Sequence, residues 1–344
     1  MTLRAFGVYS EMEAITAIKS MSSGLTRFSH SVESPGIRFQ KRDEIIFRTI
    51  YEVGGVVAKR QIKEMFWPNK TWRAMEKRLA KLHHNGFIDW PDREQWRTEP
   101  IPEAVCWLGW RGAILLAQSW GLEINPLKNV NEHQLKNLQS SFRRQSFHWM
   151  REPRWIQLAH DLTVVDIWLL LHKAIRKLPD LTLSEWLHEG VFRSDMDIME
   201  YEAKDRNGLT RRVKKGVCPD AFFMIEDEQR KRHGQPYRAR FLLEIDNATH
   251  DNPSFGLEKS LPGSVYVGSS AYKQRFGQNS GRWLVVTKAG HRRMENLIRQ
   301  TEEIAGHNAG LFYFSTLEKL TTHDLLTTPI WLQAGSRKSC SLLM

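Results

Sequence analysis

The stretch KTWRAMEKRLAKLHHNGFIDW, residues 70–90, decides the fold of the first third of the chain. Four apolar residues in it recur at helical spacing, namely Trp72, Met75, Leu79 and Leu82. This spacing predicts a helix over 70–84 that turns one apolar face inward. Asn85-Gly86 is a stop signal for that helix, and Phe87 then opens a strand-like run.

Two shorter helical patterns precede this segment. The first starts at Arg42 and ends at Gly54-Gly55, and the second covers 57–66. After residue 90, a turn at 91–93 leads to an extended run over 105–108. Three helices followed by a hairpin is the order of a winged helix-turn-helix, so we predict such a domain over 39–120.

Basic residues surround the apolar face of the third helix. In a helix-turn-helix the corresponding helix enters the major groove, where Arg and Lys contact phosphates and guanine edges. The candidate DNA-binding residues are Lys70, Arg73, Lys77, Arg78 and Lys81, with Arg93 and Arg97 in the wing. The alternative is a basic amphipathic helix that only keeps the protein in solution. The coincidence of helix order, turn, hairpin and a net charge of +11 favours double-stranded DNA as the partner.

Length and composition limit the remaining classes. At 344 residues the chain accommodates two domains, and its longest apolar stretch, 162–171, is interrupted by Asp166, which argues against a membrane span. The N-terminus has no secretory signal pattern, and three scattered cysteines form no CxxC pair, so we expect a cytoplasmic protein without a zinc ribbon. No phosphate-loop motif is present, so we expect no nucleotide cofactor.

The second half of the chain alternates between helix and strand signals. We predict a long helix over 156–176, strands over 217–225, 241–245, 283–287 and 310–314, and a helix over 292–304. Such alternation is typical of a mixed sheet flanked by helices, which makes the protein α/β (α+β). The basic run 230–240 is predicted to be a solvated hairpin tip. The remaining assignments are a flexible arm over 1–38, a helical connector over 121–155, an α/β domain over 156–320 and a C-terminal tail over 321–344.

Three carboxylates are candidates for a shared site in this domain. Asp220 opens one predicted strand, and Glu244 and Asp246 lie two residues apart on the next, so they point to the same side. An adjacent strand would bring Asp220 beside them. Carboxylates packed together repel each other, and a hard divalent cation relieves that repulsion. We therefore predict that Asp220, Glu244 and Asp246 bind Mg²⁺ or Mn²⁺.

The carboxylate pattern resembles that of the PD-(D/E)xK nucleases, in which a lysine follows the second acid after one spacer. Asp246 occupies the lysine position here, and Lys259 or Lys273 on the following helix could supply the missing cation. The resemblance implies a metal-dependent endonuclease with Asp220, Glu244, Asp246 and Lys259 as its catalytic candidates. Glu189 is a further candidate acid. His160 is expected to pack against a hydrogen-bonded partner, while His250 is open between a structural and a functional role.

Four motifs together resemble the replication-relaxation family of plasmids and other mobile elements, over roughly residues 40–318. They are 105–112 (VCWLGWRG), 158–162 (LAHDL) with Asp166, Pro219-Asp220, and 243–249 (LEIDNAT). Asn247-Ala248 departs from the basic-Gly pair expected before the final Thr. The resemblance implies a DNA-binding accessory protein in plasmid replication, DNA relaxation or transfer. Two alternatives stay open: a DNA endonuclease targeted by its winged helix, or a scaffold for a relaxase, transposase or replication protein. A homodimer would add a second DNA-contacting surface.

Overall fold

The structure is a computed structural model that describes residues 36–124, 127, 130–204, 209–248 and 251–343. Most of the predicted flexible arm, residues 1–35, lies outside the described residues. The described part is a mixed α/β protein with a small antiparallel sheet near its start and a large mixed sheet behind it. This confirms the predicted α+β fold class.

The N-terminal unit consists of helices around a small sheet. Its helices are α1 (Lys41–Glu52), α2 (Lys59–Phe66), α3 (Trp72–His84), α4 (Gln95–Thr98), α5 (Trp110–Ser119) and α6 (Glu132–Arg144). Its strands are β1 (Val56–Ala58), β2 (Ile88–Asp89) and β3 (Val105–Leu108), in the order β1-β3-β2. The expected order of three helices and then a hairpin is therefore observed, with a helical turn inside the hairpin connection.

Helix α2 begins at Lys59, two residues after the start that the sequence predicts. Residues 56–58 form β1 instead, because Val56 and Val57 are buried and pair with Trp107 and Cys106 of β3. Helix α3 also starts later than predicted, since the Thr71 side chain accepts a hydrogen bond from the Ala74 amide and caps the helix.

The buried face of α3 matches the prediction at three of four positions. Met75, Leu79 and Leu82 are buried among residues of α1 and α5. Trp72, predicted to anchor the helix, is 43 % exposed. All residues from 68 to 74 are exposed, so the first turn of α3 extends beyond the packed core.

Helix α6 belongs to the same core. The predicted connector contributes Leu138, Phe142, Phe147 and Trp149, which are buried with the side chains of the first helices. Asn131 caps α6 by accepting a hydrogen bond from the Gln134 amide. Residues 131–149 are therefore packed structure, since they bury four large apolar side chains.

Helix α7 (Leu158–Ile175) joins the two parts of the molecule and follows a 3-10 turn, Trp155–Gln157. Val165, Trp168 and Leu169 on one side of it pack into the N-terminal core. Val164, Ile167 and Leu171 on the other side pack under the large sheet. Because α7 is buried on both sides, it has apolar residues on both sides rather than a single apolar stripe.

The large sheet has seven strands in the order β12-β11-β10-β9-β8-β7-β4. They are β4 (Leu181–His188), β7 (Ala221–Asp227), β8 (Arg238–Asp246), β9 (Arg282–Thr287), β10 (Phe312–Thr316), β11 (Trp331–Gln333) and β12 (Ser339–Cys340). Strands β8, β9 and β10 run parallel, and the other pairs are antiparallel. The four central strands lie where the sequence predicted strands.

The remaining elements surround this sheet. They are α8 (Glu189–Ser194), β5 (Asp197–Lys204), β6 (Thr210–Val217), α9 (Glu228–Arg232), α10 (Asn252–Phe255), a π-helical segment (Gly256–Ser260), α11 (Leu261–Tyr266), α12 (Ser270–Phe276), α13 (Gly290–Ala305), a 3-10 segment (Gly306–Leu311) and α14 (Leu317–Thr322). Strands β5 and β6 pair with each other in a separate two-stranded sheet.

Three sequence expectations for this half need correction. The predicted strand 217–225 is divided, because β6 ends at Val217 and Pro219, which lacks an amide proton, precedes β7. The basic run 230–240 is exposed at its start, but Arg240 is buried in β8 and donates to the Ser280 hydroxyl at 3.2 Å. The predicted C-terminal tail is part of the fold, since β11 and β12 extend the sheet and Trp331 is fully buried.

Candidate functional site

The outer face of α3 carries the exposed cations that the sequence predicted. Arg73 and Lys77 are exposed one helical turn apart, and Lys70 is exposed just before the helix. Lys81, a further turn along, is half-exposed. In the wing, Arg93 and Arg97 are also exposed, the latter on α4. Five of the predicted cations are therefore exposed to solvent, and Lys81 is partly exposed.

Arg78 was predicted to contact DNA, and the structure contradicts this. Its side chain is only 13 % exposed and forms an ion pair with Asp43, a fully buried residue of α1. Its Nε donates to Asp43 Oδ1 at 2.9 Å and its Nη2 donates to the Arg38 carbonyl at 2.9 Å. Successive residues of a helix point in different directions, so the Arg78 side chain faces α1 although that of Lys77 faces solvent. Arg78 thereby links α3 to α1.

A groove beside α3 contains a cation that the sequence analysis missed. The groove has a volume of about 380 Å³, and its lining includes Arg42, Trp67, Lys77 and Lys81. The Arg42 guanidinium lies 4.5 Å from the centre of the Trp67 ring, which fixes its position. Arg42 lies in the first turn of α1, some 30 residues from α3 in sequence, and no local pattern could have placed it here.

Asp220 and Glu244 meet at one end of the large sheet. Asp220 immediately precedes β7 and donates its amide to the Leu243 carbonyl of β8 at 3.0 Å. Its Oδ2 accepts a hydrogen bond from the Ile245 amide at 2.7 Å. Both carboxylates are buried, and both line a cavity of about 320 Å³. The antiparallel pairing of β7 and β8 thus brings together two acids that the sequence placed on neighbouring strands.

Lys259 provides a cation to this pair. Its Nζ lies 2.6 Å from Glu244 Oε1, and it reaches the site from the π-helical segment Gly256–Ser260. A π-helical turn widens a helix and redirects its side chains, and such turns are frequent at functional sites. Lys273, the other candidate, is exposed on α12 and is not part of the cavity lining. Of the two candidate lysines, Lys259 is therefore the one that contacts the carboxylates.

The charges in this cluster alter one another's pKa. Burial raises the pKa of Glu244, and the Lys259 ammonium only partly opposes this effect. Burial acts to lower the pKa of Lys259, but the Glu244 and Asp220 charges outweigh it and hold that pKa above its usual value. Burial would raise the pKa of Asp220, but hydrogen bonding from His160 and the nearby cations lower it. Perturbed, mutually dependent ionisation is common at functional sites.

Asp246 does not join the other two carboxylates in a ligand set. Arg293 of α13 binds it in a two-pronged ion pair, with Nη2–Oδ1 at 2.8 Å and Nε–Oδ2 at 3.0 Å. The Thr287 hydroxyl donates to Oδ2 at 2.7 Å. Asp246 does line the same cavity, as its spacing from Glu244 predicted, but its charge is matched by an arginine far along the chain. The assignment of Asp246 as a metal ligand therefore has no support in this geometry.

The other predicted residues are partly in place. The Nε2 of His160 lies 3.0 Å from Asp220 Oδ1, and the Asn247 amide lies 2.8 Å from its Nδ1, so it has the expected hydrogen-bonded partners. Glu189 lines the cavity, but Arg154 and Arg193 hold it at 2.6 and 2.5 Å. His250 lies outside the described residues.

The donor set does not match the predicted three-carboxylate metal centre. In the part of the chain that the structure describes, no group of three His, Cys, Asp or Glu side chains is placed to hold a metal ion. One observation favours a ligand of some kind: Glu244 Oε2 is buried and has no hydrogen-bond partner among the described residues. The residues described therefore provide a pair of candidate carboxylate ligands, Asp220 and Glu244, rather than three.

These features define a two-part α/β protein, with an exposed basic helix on a small N-terminal unit and a buried acidic cavity at the end of a mixed sheet. Within that class, the chain belongs to the replication-relaxation family, which it matches over residues 47–261. The match includes α3, the wing, Asp220, Glu244 and Lys259, and it confirms the suspected family. No curated protein and no solved structure shows a significant match. Among the described residues, no helix is long and apolar enough to cross a membrane.

Proposed function

We propose that the protein binds double-stranded DNA through α3 and the wing, as an accessory factor in the replication, relaxation or transfer of a mobile element. Family membership suggests a role in replication or relaxation. The observation that carries the proposal is the division of α3 into two faces. Arg73 and Lys77 face solvent, whereas Met75, Leu79 and Leu82 bury the opposite face.

This arrangement suits a duplex for an electrostatic reason. Each phosphate contact by a lysine or arginine releases condensed counterions, so a row of exposed cations on a rigid helix yields salt-dependent affinity. The wing arginines, Arg93 and Arg97, would reach a neighbouring groove. A relaxase, transposase or replication protein is the class of partner that such a role would require, and a homodimer would double the DNA contacts.

The test is the double variant Arg73→Ala with Lys77→Ala, compared with Arg230→Ala with Arg232→Ala. The control pair removes two exposed arginines from α9, on the other unit of the molecule. Fluorescence anisotropy with duplex DNA over a salt series should show weaker binding by the first variant and a salt slope reduced by about two contacts. The control should bind as the wild type does. Equal losses in both variants would show that binding depends on net charge alone.

A second candidate function is phosphodiester cleavage at Asp220, Glu244 and Lys259. The 2.6 Å contact between Lys259 and Glu244 favours it, because the PD-(D/E)xK pattern requires a cation that Asp246 cannot supply. An ammonium held in a buried cavity can stabilise negative charge that develops on a phosphate. The geometry does not specify a complete metal site, so cleavage is the less supported of the two functions.

Cleavage is tested with supercoiled plasmid in the presence of Mg²⁺ or Mn²⁺. We expect nicked or linear product from the wild type and from Lys273→Met, whose lysine is exposed outside the cavity. Glu244→Ala and Lys259→Met should leave the plasmid supercoiled. If the wild type also leaves it intact with both metals, the cleavage proposal fails and DNA binding is unaffected.

A further inference from the structure

The carboxylate cavity poses a steric problem for duplex DNA. Asp220 and Glu244 are each only 5 % exposed, inside a cavity of about 320 Å³. The phosphates of a regular duplex follow its outer contour, so one can approach such a recessed site only if the strand leaves that contour locally. Opening the duplex requires unstacking of neighbouring bases, which is energetically unfavourable unless the protein replaces the lost contacts.

An unusual apolar side chain lies at the lining of this same cavity. Ile156 is 93 % exposed, the most exposed of the large apolar residues among those described. A single exposed apolar residue on a protein surface is common and requires no explanation. Ile156 differs because it shares the cavity lining with Asp220, Glu244 and Lys259.

The backbone around Ile156 is firmly anchored. Ile156 belongs to the 3-10 turn Trp155–Gln157, and the Trp155 ring packs edge-on against Trp107 of β3. The Trp155 indole donates to Glu152 at 3.0 Å. Just before the turn, Arg154 lies 2.6 Å from both Asp161 and Glu189. The contacts of Arg154 and Trp155 thus fix the backbone at Ile156, whose side chain is exposed to solvent.

We propose that Ile156 is a wedge that inserts between stacked bases of bound duplex DNA and opens the helix at the mouth of the carboxylate cavity. Proteins that distort DNA commonly use Phe, Leu, Ile or Met in this way, because an apolar side chain replaces part of the lost stacking. Arg193, exposed on α8 and also part of the lining, is placed to contact the displaced backbone. This inference rests on the proposed DNA binding and adds how the acidic site gains access to the strand.

Insertion between bases unwinds DNA, which gives a readout independent of the target sequence. A small closed circular plasmid is bound by the full-length protein in EDTA, relaxed with a magnesium-independent topoisomerase, deproteinised and separated by electrophoresis. EDTA suppresses metal-dependent nicking, and gel shift on the same plasmid measures occupancy. The wild type should shift the topoisomers toward lower linking number as occupancy rises.

Ile156→Ala should abolish this shift at equal occupancy. The matched control is Ile198→Ala, which truncates an isoleucine that is 55 % exposed on β5 and outside the cavity lining, and it should shift the topoisomers as the wild type does. A wild type that binds the plasmid without any shift would overturn the wedge but leave DNA binding intact. An equal shift from Ile156→Ala would overturn the assignment to this residue. Absence of plasmid binding would instead contradict the proposed function.

Discussion

Arg78 and Lys77 are neighbours on α3 with opposite roles. Lys77 is exposed on the outer face, whereas Arg78 forms an ion pair with Asp43, which has no exposure to solvent. Removing one partner of a buried pair leaves the other charge desolvated and unpaired, and that cost is much larger than the loss of an exposed charge. The two residues therefore separate a contribution to stability from the proposed contribution to DNA binding.

We expect Arg78→Ala to lower the free energy of unfolding by about 3 kcal/mol, because Asp43 remains buried without its cation. Lys77→Ala should change it by no more than about 0.5 kcal/mol. Urea unfolding followed by circular dichroism measures both values. A loss from Lys77→Ala as large as that from Arg78→Ala would mean that the outer face of α3 is part of the packed structure.

His188 links stability to pH. It caps α8, where its Nδ1 accepts a hydrogen bond from the Gly190 amide at 3.1 Å. Burial lowers the pKa of His188 to about 4, and the nearby His148 and Arg154 act in the same direction. The folded protein thus keeps this imidazole neutral at a pH where the unfolded chain, with an ordinary histidine pKa of about 6.5, would bind a proton.

His188 should therefore contribute stability at neutral pH that is lost as the pH falls below about 6.5 toward 4. We expect the variant His188→Asn, which retains a capping acceptor, to lose about 2 kcal/mol less than the wild type between about pH 7 and pH 4.5. Chemical denaturation at a series of pH values measures this difference. Identical pH profiles for the two proteins would show that folding does not lower the pKa of His188.

Individual site residues were predictable where a local pattern determines them. Asp220 and Glu244 follow from strand alternation, and the exposed Arg73 and Lys77 follow from helical spacing, whereas helical spacing did not reveal that Arg78 turns inward. Arg293 and Arg42 were missed, because each reaches its partner from a distant part of the chain. Ala248, which follows the cavity-lining Asn247, is a non-glycine residue with a φ of 57°, at a position where the family pattern led us to expect glycine.

Among the elements, α5 approaches the backbone just before β2 so closely that glycine is required at the contact. A Cβ atom on Gly112 would lie 2.1 Å from the Phe87 carbonyl oxygen, a backbone atom that cannot rotate away. The helix can approach this closely only without a side chain at that position. Gly112 belongs to the motif VCWLGWRG that supported the family resemblance, and its packing explains why glycine is needed there.

Gly112→Ala should lower the free energy of unfolding by about 3 kcal/mol, since α5 must move to relieve the overlap. Gly268→Ala is the control, because a Cβ there would contact only the Val265 carbonyl, at 3.8 Å. The control should unfold within about 1 kcal/mol of the wild type. Equal stability of Gly112→Ala and the wild type would show that α5 is not tightly seated.

Elements with a continuous apolar run or a clear apolar stripe were predicted well, whereas the eight-residue strands β4, β5 and β6 were missed together with the shortest strands. The central strands β7 to β10 each contain a continuous run of apolar residues, and α13 has a clear apolar stripe, so each was identifiable. Strand β1 has three residues and becomes a strand only by pairing with β3. Strands β11 and β12 are equally short and depend on the edge that β10 provides, which local sequence does not reveal.

In the whole molecule, α7 packs against both the N-terminal unit and the large sheet and so joins them. It contributes buried residues to the N-terminal core and to the core beneath the large sheet. Arg60 of α2 also forms two hydrogen bonds with Asp166 of α7, at 2.6 and 2.7 Å. The domain boundary predicted between residues 155 and 156 therefore separates α7 from the N-terminal residues against which one of its sides packs.

We expect one cooperative thermal transition for the whole protein, because neither core is complete without α7. Trp168→Ala, which opens a cavity on the side of α7 that faces the N-terminal unit, should lower stability by about 3 kcal/mol and shift that single transition. Differential scanning calorimetry measures this. Two resolved transitions, of which only one moves, would show that the parts unfold independently.

Site-specific photocrosslinking can detect the proposed contact between the exposed face of α3 and duplex DNA. Benzoylphenylalanine replaces Lys77 in one protein and Gln118, exposed on α5, in another. After irradiation with duplex DNA, we expect a covalent adduct at position 77 and little or none at position 118. Adducts at position 118 but not at position 77 would contradict the proposed contact.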